Sequence, residues 1–387
     1  MAFSRCLLRA SGFSFLVTLG TLLLQIPRAD SAPKTNGAPI VSAAMIGPLL
    51  SPDIDKALAA GGLGPPKSAG VVIGVARGGS TRVFAFGAAK PDSIFEIGSI
   101  TKTFTGLLLA QMIAQGKVTL TEPLRKLLPE GLVAAPEGPQ ISLSDLITHH
   151  SGLPRMPDNF LPSDWTSARQ RYTLRALYAY IARRGVARPP HPPYVYSNLG
   201  VGLLAQALAD RAHTSYANLL AGEITGPLHM RDTEIELSAA QRPRLIPGWP
   251  EGPWHAGALA GAGDLRSTAQ DMLTYLEANL DPRDLPSGVG KSMQAQTLPS
   301  AIELSQTVLA PADGPMRIAY GWEYDPRTGD YSHAGLTGGY TTYAFFNHTG
   351  GYAAIVLTNA GSDPFANLVA SRISQAFSGR AANPLAK

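Results

Sequence analysis

Residues 95–106 read FEIGSITKTFTG, and the fold turns on how this stretch is read. Phe95–Ile97 is strand-like, Gly98 interrupts it, and Ser99 stands at the interruption. The chain then continues through the apolar TGLLLAQMIAQ to Gly116, a segment with helical character. Lys102 lies one turn beyond Ser99 on the same helical face. A lysine in an apolar helix is costly unless it is paired or takes part in chemistry. A serine at a strand-to-helix junction sits where free N–H groups and the positive helix end favour developing negative charge. It needs a base to become a nucleophile. Burial lowers a lysine's pKa, and a neutral amine can take the proton.

Working outward, AGVVIGVAR (69–77) and TRVFAFG (81–87) read as two strands joined by a Gly-Gly-Ser turn, after a short helix, PDIDKALAA. The middle of the chain changes period. TKTFTGLLLAQMIAQ, LSDLITHH, RYTLRALYAYIARR, NLGVGLLAQALADRA, SYANLLAGEITGPL and STAQDMLTYLEANL all carry helical apolar spacing. RIAYGWEYD, DYSHAG, YTTYAFFNH and GYAAIVLTNA return to strands, and DPFANLVASRISQAF closes as a helix. The expected class is α/β (α+β). One antiparallel sheet is flanked by the terminal helices, with an inserted, mainly helical lobe. The expected division is a signal peptide at 1–31, a linker at 32–50, a sheet lobe from 51–98 and 310–380, and a helical lobe at 99–309. A cleft between two lobes is a common place for a ligand.

The N-terminus has a separate reading. Arg5 and Arg9 precede the apolar GFSFLVTLGTLLLQIP, and the small residues of RADSAP follow, the three-part pattern of a secretory signal cut near Ser31. The apolar core is shorter than the roughly 20 residues of a spanning helix. The single cysteine, Cys6, lies inside that segment, so removing it leaves a chain with neither disulfides nor a cysteine nucleophile. A net charge of +4 without a basic cluster and interleaved aromatics argues against a nucleic-acid partner. The expected location is periplasmic or secreted, with no membrane span once the signal is gone.

Two further elements complete a constellation. In YVYSNLG, after the proline-rich ARPPHPPY, Tyr196 can relay a proton and Asn198 can hold an amide or orient the lysine. In HAGLTGGY (333–340), glycines let the backbone approach a ligand, and a main-chain N–H opposite that of Ser99 would complete an oxyanion hole. The Ser-x-x-Lys and Tyr-x-Asn patterns each have a chance copy. Ser31–Lys34 contains Pro33 and precedes no apolar helix, while Tyr216-Ala217-Asn218 lies inside a continuous helical pattern, where a packed aromatic and an exposed amide are expected. Adjacent His149 and His150 point apart and read as a loop framing the site. Glu96 reads as structural, and the other histidines lack metal-ligand spacing. Asn347-His348-Thr349 fits a glycosylation sequon. No G-x-S-x-G, P-loop or dinucleotide fingerprint occurs. No metal or cofactor is expected.

As an ordered set, FEIGSITKTFTG, ITHHSGLP, YSNLG, GPLHMRDTEI, GDLRSTAQDM and HAGLTGGYTTYAFF resemble the class C β-lactamase and DD-peptidase family of serine hydrolases, from about residue 50 to 380. The resemblance implies an α/β sandwich with a helical lobe and the active site between them. It implies that Ser99 is acylated, that Lys102 and Tyr196 serve as general base and acid, and that Asn198 binds the substrate's amide side chain. His333, Gly335 and Leu336 would contact substrate, with the N–H groups of Ser99 and Leu336 holding the oxyanion. The third motif departs from the family: His333 stands in place of lysine and Ala334 in place of threonine, which weakens recognition of a substrate carboxylate. The expected substrates are β-lactams or D-alanyl-D-alanine-type peptides. A carboxylesterase and a penicillin-binding receptor with little turnover are the alternatives.

Overall fold

The computed structural model describes residues 41–161, 172–285, 292–361 and 364–380. The expected signal peptide and the Ser31–Lys34 copy lie outside the described residues. The first helix, α1 (Ala43–Ala59), begins well before Pro52, so 43–50 is helical where a linker was expected. Its two prolines, Pro48 and Pro52, disguise the pattern. Ile46, Leu50, Ile54 and Leu58 recur every fourth residue and are buried in one core with Val71, Ile73 and Val75. That burial outweighs what the prolines cost the helix.

The strands are β1 (Gly70–Arg77), β2 (Ser80–Gly87), β3 (Phe95–Glu96), β4 (Arg266–Ser267), β5 (Ala310–Pro311), β6 (Arg317–Ile318), β7 (Glu323–Asp325), β8 (Asp330–Leu336), β9 (Thr341–Asn347) and β10 (Tyr352–Thr358). Eight of them form one antiparallel sheet in the order β2-β1-β10-β9-β8-β7-β6-β5. The first and last parts of the chain thus meet, β1 lying against β10 with Ile73 opposite Val356. Gly78 and Gly79 both take positive φ and close the β1–β2 hairpin. In β1, Val71, Ile73 and Val75 face one core and Val72 and Ala76 the other, because both faces of the sheet are covered. The strands β3 and β4 form a separate pair, with Glu96 opposite Arg266.

The remaining helices are α2 (Thr101–Ala114), α3 (Leu143–Ile147), α4 (Leu174–Arg184), α5 (Asn198–Arg211), α6 (Tyr216–Leu220), α7 (Ala269–Leu280), α8 (Met293–Ser305) and α9 (Phe365–Ser378). α1 and α9 cover one face of the sheet, and α7 packs on β1 and β10 from the other. Thus α7, inside the stretch expected to be the helical lobe, supports the sheet instead. α2 is buried along nearly its whole length among α5, α8 and neighbouring turns. α8 carries Pro299 and was not singled out by its spacing. α6 ends early in a π turn over Ala221–Thr225 instead of continuing to 228. Among the described residues, no helix is long and apolar enough to cross a membrane.

Candidate active site

Ser99 sits in a single 3-10 turn, Gly98–Ile100, between β3 and α2. Gly98 has φ +51°, and a Cβ there would lie 2.6 Å from the Leu336 nitrogen. Only glycine lets the end of β8 come so close to the turn. Gly335, next to it, is pressed against the Ile97 carbonyl, which also accepts a 3.0 Å hydrogen bond from the Thr342 hydroxyl. The backbone of Leu336 is thereby held beside the start of α2, while its side chain is 53 % exposed.

Lys102 is 0 % exposed. Its Nζ donates to Ser99 Oγ at 2.9 Å and to the Ala262 carbonyl at 2.6 Å. Burial holds the amine well below the usual lysine range, and the Arg155 charge lowers it further. Loss of one proton leaves a lone pair facing the serine hydroxyl.

Tyr196 presents its ring to two cations, with Lys102 Nζ 4.8 Å and Arg155 Cζ 5.1 Å from its centroid. Burial pushes the phenol up, with Ser99 and Arg155 pulling the other way, so it keeps its proton at neutral pH. Asn198 opens α5, with Ser197 as its cap accepting from Gly200 N–H at 2.9 Å. The Asn198 backbone N–H donates to the Arg155 carbonyl at 3.0 Å, its Nδ2 faces Met156 Sδ at 3.6 Å, and its Oδ1 is buried without a partner.

His149 frames this tyrosine. It is buried, takes φ +64°, accepts the Ser197 N–H on Nδ1 at 3.2 Å and lies 4.6 Å from the Tyr196 ring centroid. Burial and the nearby cations hold its pKa well below the usual histidine range. His333, on β8, is 3 % exposed with Nδ1 2.6 Å from the Ala334 carbonyl. Burial first, then Lys102, push its imidazole down to about 3. It is a neutral ring 6.4 Å from that of Tyr196, not a cation.

Ser99 and Asn198 line a cavity of about 290 Å³, together with Arg155, Trp254, Ala262 and Leu336. Behind it lies a buried ion pair, Glu96 with Arg266 at 3.1 Å. Glu96 Oε1 also accepts the Trp254 N–H at 2.8 Å, and Arg266 donates to the Trp254 carbonyl at 2.7 Å. Glu96 therefore fastens the cavity wall to β3. Asp264 is also buried, accepts the Ala256 N–H on both oxygens, and is raised by burial to about 7.

The structure thus brings Ser99, Lys102, Tyr196, Asn198, His333, Gly335 and Leu336 to one place. The second tyrosine candidate lies elsewhere, Tyr216 being a buried aromatic hydrogen-bonded to Thr105 at 2.7 Å with Asn218 exposed. Asn347 of the sequon is buried and donates to Thr328 and Asp330, so its amide is not open to modification. Among the described residues, no group of three or more His, Cys, Asp or Glu is placed to hold a metal ion. Sequence reading missed Arg155 and the Ala262 carbonyl. Arg155 directly follows ITHHSGLP, which was the available signal; a carbonyl leaves none.

Comparison with known proteins adds five findings. The sequence profile of the family described as Beta-lactamase matches residues 57–376. D-alanyl-D-alanine-carboxypeptidase/endopeptidase AmpH of Escherichia coli is 30% identical over 289 residues, covering 68% of this chain and 73% of that protein. A beta-lactamase of Yersinia enterocolitica is 26% identical over 268 residues, covering 66% of this chain and 64% of the relative. Among solved structures, a beta-lactamase/D-alanine carboxypeptidase from Yersinia pestis complexed with citrate superposes with TM-score 0.69 at 24% identity, over 88% of this chain and 99% of that one. A class C beta lactamase from Rhodobacter sphaeroides gives TM-score 0.67 at 23% identity, over 84% and 97%.

Proposed function

The chain belongs to the beta-lactamase family, and on that premise we propose that it is an exported serine hydrolase of the class C type, acting through an acyl-enzyme on Ser99. The observation that carries the reading is the 2.9 Å contact between Lys102 Nζ and Ser99 Oγ in a buried setting that disfavours the ammonium form. Neutral Lys102 takes the hydroxyl proton as Oγ bonds to the substrate's carbonyl carbon. The oxyanion that forms is held by the N–H groups of Ser99 and Leu336. The C–N or C–O bond breaks as the leaving atom takes a proton from the Tyr196 phenol, and Lys102 returns a proton to the tyrosine. Water then splits the Ser99 ester. The unpartnered Oδ1 of Asn198 can accept an N–H from the substrate's amide side chain.

The substrates proposed are β-lactams or D-alanyl-D-alanine-type peptides, which accords with the names of the relatives. A second reading, a carboxylesterase, is favoured by one observation: neutral His333 and Ala334 offer a carboxylate no charge from β8. A penicillin-binding receptor would share the acylation step and lack turnover. Export rests on the pattern of Arg5, Arg9 and the apolar stretch after them. The test is hydrolysis of a chromogenic cephalosporin and a panel of p-nitrophenyl esters by the wild type and Ser99→Ala. The reading expects the variant to lose every activity the wild type has. Retention of full hydrolysis by Ser99→Ala would overturn it.

A further inference from the structure

We propose that Arg155 is the anion-recognising group of this cavity and takes the free carboxylate of the acyl donor, the task that the side chains at 333 and 334 do not perform. The inference rests on the serine-hydrolase reading above.

Of the described residues lining the cavity, Arg155 is the only charged one, and no carboxylate is among them. Its side chain is exposed and has no ion pair or hydrogen bond among the described residues. The nearest acid in sequence, Asp158, is engaged by Arg183. The backbone of Arg155 is fixed, since its carbonyl accepts the N–H groups of Asn198 and Leu199 at 3.0 and 3.1 Å. Its guanidinium lies over the Tyr196 ring, the same ring that Lys102 approaches. A cation thus lines the same cavity as the reacting hydroxyl and has no ion pair or hydrogen bond among the described residues.

On β8, which reaches the cavity through Leu336, His333 is buried with Nδ1 against the Ala334 carbonyl, and Ala334 has no side-chain donor. A carboxylate brought to Ser99 therefore finds its charge partner on the 151–158 loop and not on β8. A guanidinium suits that role because its planar fork matches a carboxylate with two parallel hydrogen bonds. This assigns the substrate class more narrowly: esters, amides or lactams whose leaving or fused portion carries a carboxylate.

The test uses one thiolester pair, the hippuric acid thiolester of thioglycolic acid with its carboxylate free and the same compound methylated. The ratio of kcat/KM for free over methylated substrate is measured for the wild type, Arg155→Gln and Arg155→Lys, and Ser99 acylation is followed by mass. The proposal expects the wild type to prefer the free acid. The ratio should fall about tenfold or more in Arg155→Gln, the size of one charge-assisted pair, and part-way in Arg155→Lys. A purely structural role for Arg155 would slow both substrates by one factor and leave the ratio alone, which overturns the proposal, as does a wild type that ignores the carboxylate. If neither thiolester acylates Ser99 in the wild type, the hydrolase reading itself fails and this proposal falls with it. Acylation by both with an Arg155-independent ratio overturns this proposal alone.

Discussion

Lys102 sits in a position that only chemistry or pairing makes tolerable, and what it touches is a hydroxyl and a carbonyl, not an acid. Its ammonium form gains no ion pair there, so burial favours the amine. Lys102→Met keeps the bulk and removes the proton acceptor; acylation should fall by about 10²–10⁴-fold, the usual worth of a positioned base, as read by stopped-flow or quenched mass spectrometry. With the lysine held well below its usual range, the acylation rate should be lost on the acid side as pH falls through that lowered pKa and Lys102 gains its proton. His333 allows a signed statement about stability. Its folded pKa is depressed to about 3, so between roughly 6.5 and 3 only the unfolded chain binds the proton. That linkage adds no cost above pH 6.5 and lowers stability progressively as the pH falls below it. Denaturant titrations should show His333→Asn losing about 2 kcal/mol less than the wild type between pH 7.5 and 5. The opposite drift from Asp264, raised to about 7, is common to both proteins and cancels in the difference. Equal losses in the two proteins would contradict the assignment.

The turn between β3 and α2 works as a unit with the end of β8. Gly98→Ala puts a Cβ 2.6 Å from the Leu336 nitrogen in a left-handed backbone, so either the turn or the strand must move. Strain of this kind costs about 1–3 kcal/mol, and the displaced Leu336 N–H should lower kcat more than it raises KM. The β3–β4 pair makes a comparable case. Arg266→Ala leaves Glu96 buried and unpaired, a loss of about 3–5 kcal/mol, measurable as a lower Tm. Burial already raises Glu96, so the loss should shrink in acid, where the carboxyl takes a proton. At this scale the sequence was readable where the period was long and unbroken. The hairpin at Gly78–Gly79, the strands β8–β10 and the helices α2, α5 and α9 follow directly from apolar spacing and glycine placement. The start of α1 and the whole of α8 were not, since Pro48, Pro52 and Pro299 stand where a helix is normally broken and only tertiary burial keeps them helical. No local signal in the sequence announces the π turn after α6.

Across the whole molecule, the antiparallel sheet gathers segments that are far apart in the chain. The β1–β10 pairing closes the two ends, and β8 carries His333–Leu336 to the serine turn, while the start of α5 brings Tyr196 and Asn198 from the helical side. The seven candidate residues were legible because each sits in a short motif with a chemical rationale. Arg155 and the Ala262 carbonyl were not, because their part depends on what lies across the cavity, and His149 was seen only as framing. The division into lobes was drawn by chain position, whereas α7 shows that packing does not follow it. The central claim is that Ser99 carries the acyl group. It is tested most directly by intact-mass spectrometry of the purified protein and of Ser99→Ala, quenched over time after mixing with benzylpenicillin and, in parallel, p-nitrophenyl acetate, with peptide mapping of any adduct. The account predicts an acyl mass on the peptide holding Ser99, transient or lasting, and none in Ser99→Ala. Undiminished turnover by Ser99→Ala, or an adduct mapped to another residue, would contradict it.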